Sequence, residues 1–200
     1  MKEKLNINQI PELKQAILDL SEKERNQMLI RLINKDQVLI EQLHFKLLED
    51  EYDLIKRFED LKNEIESDLS SHLKSINSSN LYVRGKLLLR LIRGLSGKIN
   101  HFAKVTKNTH YELLLRTYLV TQAVFYYKHV VAEDTIFGHK IRVYIVARIK
   151  AMIKLFDKLH DELKYDFSAE YFEEIESVAQ QYILTELHLE KVDFQKLKFH

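Results

Sequence analysis

The chain has no cysteine and no tryptophan, and only one proline and four glycines in 200 residues. Lack of Cys excludes disulfides, thiolate nucleophiles and Cys-ligated zinc. Scarcity of Gly and Pro removes the turn-formers that a multi-stranded sheet needs, so with Leu, Ile, Lys and Glu abundant the chain reads as all-α. Long apolar runs are missing too. The most apolar stretch, Leu113 to Val131, is interrupted by Arg116, Thr117, Thr121, Gln122, Lys128 and His129. It therefore fails the test of about 18 uninterrupted apolar residues for a membrane span and is expected to be a central buried helix. The opening "MKEKLNINQIPELK" lacks the apolar segment of a secretory signal, so a cytoplasmic location is expected, with no membrane association.

What is present is helical periodicity with capping signals. Pro11 suits a first helical turn, and "PELKQAILDL" places Leu13, Ile17 and Leu20 on one face. Ser21 and Glu24 have capping-box spacing before the apolar face Met28, Leu29, Leu32 and Ile33. Asp36 is placed to cap "QVLIEQLHFKLL". These first fifty residues resemble the helical hairpins of HEAT-type repeats over about a quarter of the chain, with no further copy of the unit.

Further on, Leu54, Phe58, Leu61, Ile65, Leu69, His72 or Leu73, and Ile76 step by threes and fours, predicting one long helix with a narrow buried seam. "NSSN" at 77–80 ends it, and "LYVRGKLLLRLIRGLSGKINHFAKV" resumes the helical pattern, with Gly85, Gly94 and Gly97 expected to permit close packing, a kink or a break near Gly94 to Gly97. Thr109 and Glu112 predict a capping box for the apolar helix, and Asp134 a cap for the next, expected from about His139 to Lys164. Ser168 is assigned as cap of the last helix, and the tail "HLEKVDFQKLKFH" as a mobile segment without a partner. The prediction is a single all-helical domain, 1–200, a bundle of about seven or eight helices. Within it we expect a sub-layer 1–50, a long hairpin over about 51–107, a central bundle 109–187 and the tail 188–200.

The formal net charge of +1 conceals segregation: residues 1–68 carry 11 bases against 16 acids, 69–156 carry 15 against 3, and 157–200 carry 5 against 11. Arg90 to Asn108 contains no acid at all. Lys86, Arg90, Arg93, Gly97, Asn100, Lys104 and Lys107 recur at intervals of three and four, so on one unbroken helix they form a stripe. With Arg84, Lys98, Lys140, Arg142, Arg148, Lys150 and Lys154 they are the candidate contacts to an anion, RNA or DNA. Tyr82, Phe102, Tyr111 and Tyr144 stand near enough in sequence to stack on bases. The competing reading is internal neutralisation. An antiparallel hairpin about Ser78 and Ser79 sets Glu64 level with Arg93, Glu59 with Lys98 and Asp53 with Lys104.

Chemical motifs are weak. Glu41 with His44 and Asp157 with His160 have the i, i+3 spacing of di-metal helical bundles, and His129 with Glu133 is spaced i, i+4. With nine His and thirty acids, chance pairs at these spacings are expected, and no metal site is assigned. "GLSGKI" lacks the first glycine and the Ser or Thr of a phosphate-binding loop and has no strand before it. No catalytic group or cofactor is therefore assigned, and the chain is read as a non-enzyme. The first functional expectation is a helical protein-interaction module that binds a partner protein or itself. The alternative is a nucleic-acid binder using the basic segment 84–154.

Overall fold

The computed structural model describes residues 6–199. The chain is all-α: among these residues there are ten α-helical segments and no strand, and all but two of the segments have eight residues or more. The backbone divides into two compact units, one ending at Leu48 and the other beginning at Glu49.

The first unit holds α1 (Pro11–Leu18), α2 (Glu22–Ile33) and α3 (Gln37–Leu48). Its ends follow the sequence signals. Pro11 opens α1, the Ser21 and Glu24 box opens α2, and the Asp36 carboxylate accepts from the amides of Val38 and Leu39 at the start of α3. None of the three helices buries a residue.

In the second unit α4 (Glu51–Ser71), the short α5 (Leu73–Ser78) and α6 (Leu81–Thr106) take the place of the simple hairpin. The expected long seam breaks at His72. Ser70, Ser71 and the His72 ring all engage carbonyls of the last turn, at Ser67 and Asp68, and side chains that compete for backbone acceptors end the helix there. No break occurs at Gly94 and Gly97. A β-carbon at either would meet nothing within 4 Å, while buried Ile92, Leu95 and Ile99 hold the helix on its core side.

Helix α7 (Thr109–Val131) is the centre of this unit, with twelve buried residues, and it packs against α4, α6, α8 (Ile136–Phe156) and α9 (Asp161–Val178). Its cap is Asn108 and not Thr109, because the Asn108 side chain reaches the Tyr111 amide at 2.9 Å and leaves Glu112 to pair with Arg116. Thr135, not Asp134, caps α8, and α8 ends at Phe156 rather than running to Lys164. Tyr127 interrupts the regular geometry of α7. Its fully buried ring carries a hydroxyl that donates at 2.6 Å to the carbonyl of Leu69, one of the unpaired acceptors at the end of α4. Burial, with Tyr126 nearby, pushes the Tyr127 phenol up to about 12.

Two further corrections concern the C-terminus. Ser168 lies inside α9 and its hydroxyl accepts the Phe199 amide at 3.0 Å. The tail assigned as mobile is packed: after a π-helical turn (Ala179–Ile183) and α10 (Leu184–Leu189), a 3-10 turn (Phe194–Leu197) buries Val192, Phe194 and Leu197 against α8 and α9. The spacing of these apolar residues is neither helical nor alternating, so no periodicity announces it. Leu197 is completely buried. Leu197→Ala is expected to lower stability by about 3 kcal/mol in urea titrations, whereas an unpacked tail would leave the midpoint unchanged.

Candidate functional site

Helices α6 and α8 run parallel beside one another, both leaning on α7. At one end a β-carbon on Gly85 would lie 2.6 Å from that of Phe137, so only glycine admits the approach. Further along, the Tyr144 hydroxyl of α8 donates to Ser96 of α6 at 2.7 Å. Neither helix contains an Asp or a Glu. Their apolar stripes face the core, and helical periodicity leaves the cations on the outside.

Three of the predicted contact residues, Lys98, Arg84 and Arg142, are engaged by carboxylates. Lys98, and not Arg93, receives Glu64, at 2.8 Å, together with Asp68 at 2.8 Å, and this pair of carboxylates raises its pKa. The register differs from that of an unbroken hairpin, since the first helix is interrupted at His72 and continues as the separate α5. Arg84 is paired with Glu133. Arg142 donates to Glu186 at 2.6 Å and to the carbonyls of Val131 and Glu133, so the expectation that it belongs to an exposed patch is corrected: it is a half-buried structural group. Arg116 is buried on Glu112 and Asn100.

Exposed on α6 are Lys86, Arg90, Arg93, Gly97, Asn100 and Lys104, the stripe read from the sequence. Lys107 stands at its end in the left-handed conformation, φ 53°. On α8, Lys140, Lys150 and Lys154 are exposed and Arg148 is half-buried. Lys86, Arg90, Arg93, Lys140, Arg148, Lys150 and Lys154 form no ion pair among the described residues. The two sides meet at Tyr144, over whose ring lie the guanidinium carbons of Arg93, at 5.7 Å from the centroid, and Arg148, at 4.8 Å. The Arg148 Nε is shielded and has no acceptor, an unmet demand in a charged group. Two cations are thus held on one tyrosine, between two helices that contain no acid, a charge arrangement complementary to an anion with several oxygens.

The stacking candidates separate sharply. Phe102 is buried, Tyr111 packs on Phe58 with centroids 4.8 Å apart, and Tyr144 is covered by its two arginines. Tyr82 alone of the four is largely exposed, at 62%.

The metal candidates go elsewhere. His129 bonds to Asn77 and Glu133 pairs with Arg84, while Asp157 and His160 are exposed at the ends of α8 and α9. Glu41 and His44 lie on α3 in the first unit. Among the described residues no three His, Asp or Glu side chains are placed to share an ion. The segment Gly94 to Ile99 is mid-helix and offers no loop to a phosphate. Among the described residues no helix is long and apolar enough to cross a membrane. A scan against protein-family models finds no match to the chain, and searches of curated proteins and of solved structures find none either.

One cluster has no sequence signal because Glu186 of α10 stands 44 and 47 residues from the two groups it accepts from, Arg142 and His139 of α8. Burial pushes the Glu186 carboxyl up, but the hydrogen bonds from Arg142, its own backbone and His139 outweigh it and hold the carboxyl below its ordinary 4.5. A depressed folded-state pKa stabilises above the unfolded value, and the contribution is lost as pH falls through the folded one. Glu186→Gln is expected to cost about 2 kcal/mol at pH 7, limited because Arg142 keeps its two carbonyls, and to flatten the acid limb of stability as pH falls below 4.5. Urea melts of both proteins across that range check it. An unchanged acid limb would remove Glu186 as its source.

Proposed function

We propose that this chain binds the phosphate backbone of nucleic acid through the carboxylate-free face of α6 and α8. One observation carries the reading. The carboxylates that might have neutralised the stripe are engaged off it, by Lys98, Arg84 and Arg142, which leaves the Arg93, Tyr144 and Arg148 cluster facing outward without a counter-charge. Seven cations without an ion pair among the described residues, on two helices that hold no acid, in a chain whose net charge is only +1, make a local field that the total charge does not reveal. A polyanion with regularly spaced charges releases counterions on meeting such a face, which supplies affinity without any base-reading motif.

The test is fluorescence anisotropy with labelled RNA and DNA oligonucleotides over a salt series. Affinity is expected to fall linearly in log salt, and Arg93→Glu to reduce the slope by about one. Because Arg93 has no carboxylate partner, thermal stability of Arg93→Glu should change by no more than about 0.5 kcal/mol. Marked destabilisation that Glu64→Arg restores would instead return the stripe to a structural role.

The interaction-module reading has separate support in the first unit. Met28, Leu29, Ile30 and Leu32 of α2 are 40%, 55%, 58% and 55% exposed, and apolar surface gathered on one short helix is costly to leave in water. Light scattering over a concentration series is expected to show association that Leu29→Glu with Leu32→Glu abolishes. A strict monomer throughout removes self-association and leaves only a different partner protein.

A further inference from the structure

The α6–α8 face has an aromatic end, and it discriminates between forms of nucleic acid. Tyr82 precedes Lys86 by four residues, and Lys86 precedes Arg90 by four, so ring and cations stand in one row at steps of about 6 Å along α6. The ring is not a loose side chain. It meets Phe137 of α8 edge to face, with centroids 4.9 Å apart and planes at 82°, where the close approach at Gly85 draws the two helices together. Lys140 in turn lies 5.1 Å from the Phe137 centroid, which places another cation beside the braced pair.

We infer that this face takes single-stranded nucleic acid, with an unpaired base stacked on Tyr82 and the adjoining phosphates on Arg90, Arg93 and Arg148. The inference rests on the phosphate-backbone reading of the same face and names the form of the ligand. In a duplex the bases are stacked within the helix and the backbone faces outward, so a flat, braced ring in line with the cation row would meet phosphates and sugars. In a single strand each base has a free π-face, and an aromatic platform beside a cationic track is the arrangement that uses it. Bracing against Phe137 reduces the conformational freedom lost when a base stacks. Stacking on a π-face and charge on phosphates do not depend on base identity, so binding is tolerant of sequence.

The experiment compares a single-stranded RNA, its blunt duplex of equal length, a single strand with one abasic site, and polyglutamate, each binding the full chain at fixed salt. The single strand is expected to bind at least fivefold more tightly than the duplex. Tyr82→Ala should weaken single-strand binding about tenfold with the salt slope unchanged, and Tyr82→Phe should retain it. The abasic strand keeps its phosphates, so it should lose a similar factor on the native protein and little more on Tyr82→Ala; this readout involves no change to the protein. Equal or tighter binding of the duplex, or a Tyr82→Ala effect within twofold, overturns the inference while the phosphate-backbone reading stands. Binding to no nucleic acid, or equal binding of polyglutamate, overturns both.

Discussion

Helix α7 buries twelve of its 23 residues, and most of the second unit follows from that constraint. With Leu113, Leu119, Val120, Val124 and Val131 removed from water, α4, α6, α8 and α9 pack against it, and Phe125, Lys128 and His129 are what it leaves exposed. Its polar residues are then forced into specific partnerships. Arg116 is closed on Glu112 and Asn100, and Tyr118 and Tyr126 both donate to Glu66 of α4. Burial, joined by the adjacent carboxylate, drives the Tyr118 phenol far above its usual range, so it remains a donor at any pH the fold survives. The hydroxyl of Tyr127 secures the frayed end of the same helix, α4.

The surface of α6 and α8 is a consequence of this central packing. Each commits its apolar stripe to α7, and the two touch where Gly85 and the Tyr144 to Ser96 hydrogen bond allow it. Since neither helix has an Asp or Glu, the formal charge left on their outer surfaces is all positive. The neighbouring acids are too few and too far round the fold to reach across. Glu64 and Asp68 meet only Lys98, on the α4 side of α6, and Glu186 is enclosed under α8 by Arg142 and His139. Charge is thus sorted by helix face, with pairing at the seams and repulsion left on the open side.

Much of this organisation is legible in the residues themselves. The scarcity of Gly and Pro decides the helical class, and local caps at Ser21 and Asp36 form as their spacing requires, because each involves residues within one turn. The stripe of Lys86, Arg90, Arg93 and Lys104 is legible for the same reason: helical periodicity alone determines which residues share a face. Where two local solutions compete, the sequence is ambiguous. Asn108 and Thr135 displace Thr109 and Asp134 as caps, since the helix start is decided by which side chain the packed chain holds against the first free amides.

Pairing between helices is a different matter, because it depends on register. A break at His72, produced by side chains that bond to the carbonyls of Ser67 and Asp68, separates α5 from α4, and Glu64 meets Lys98 instead of Arg93. Arg93 is left to share the Tyr144 ring with Arg148; Tyr144 and Arg148 are four apart on one helix, but no counting of residues along the chain would bring Arg93 to them. Likewise the tail's Val192, Phe194 and Leu197 have no periodic signature, and only the groove between α8 and α9 makes them core. The sequence by itself determined the helices, their faces and the presence of surplus positive charge, since these rest on interactions within a turn or two. Only the tertiary structure decided which charges are cancelled and which aromatic ring faces water, because distances between elements are set by packing around α7.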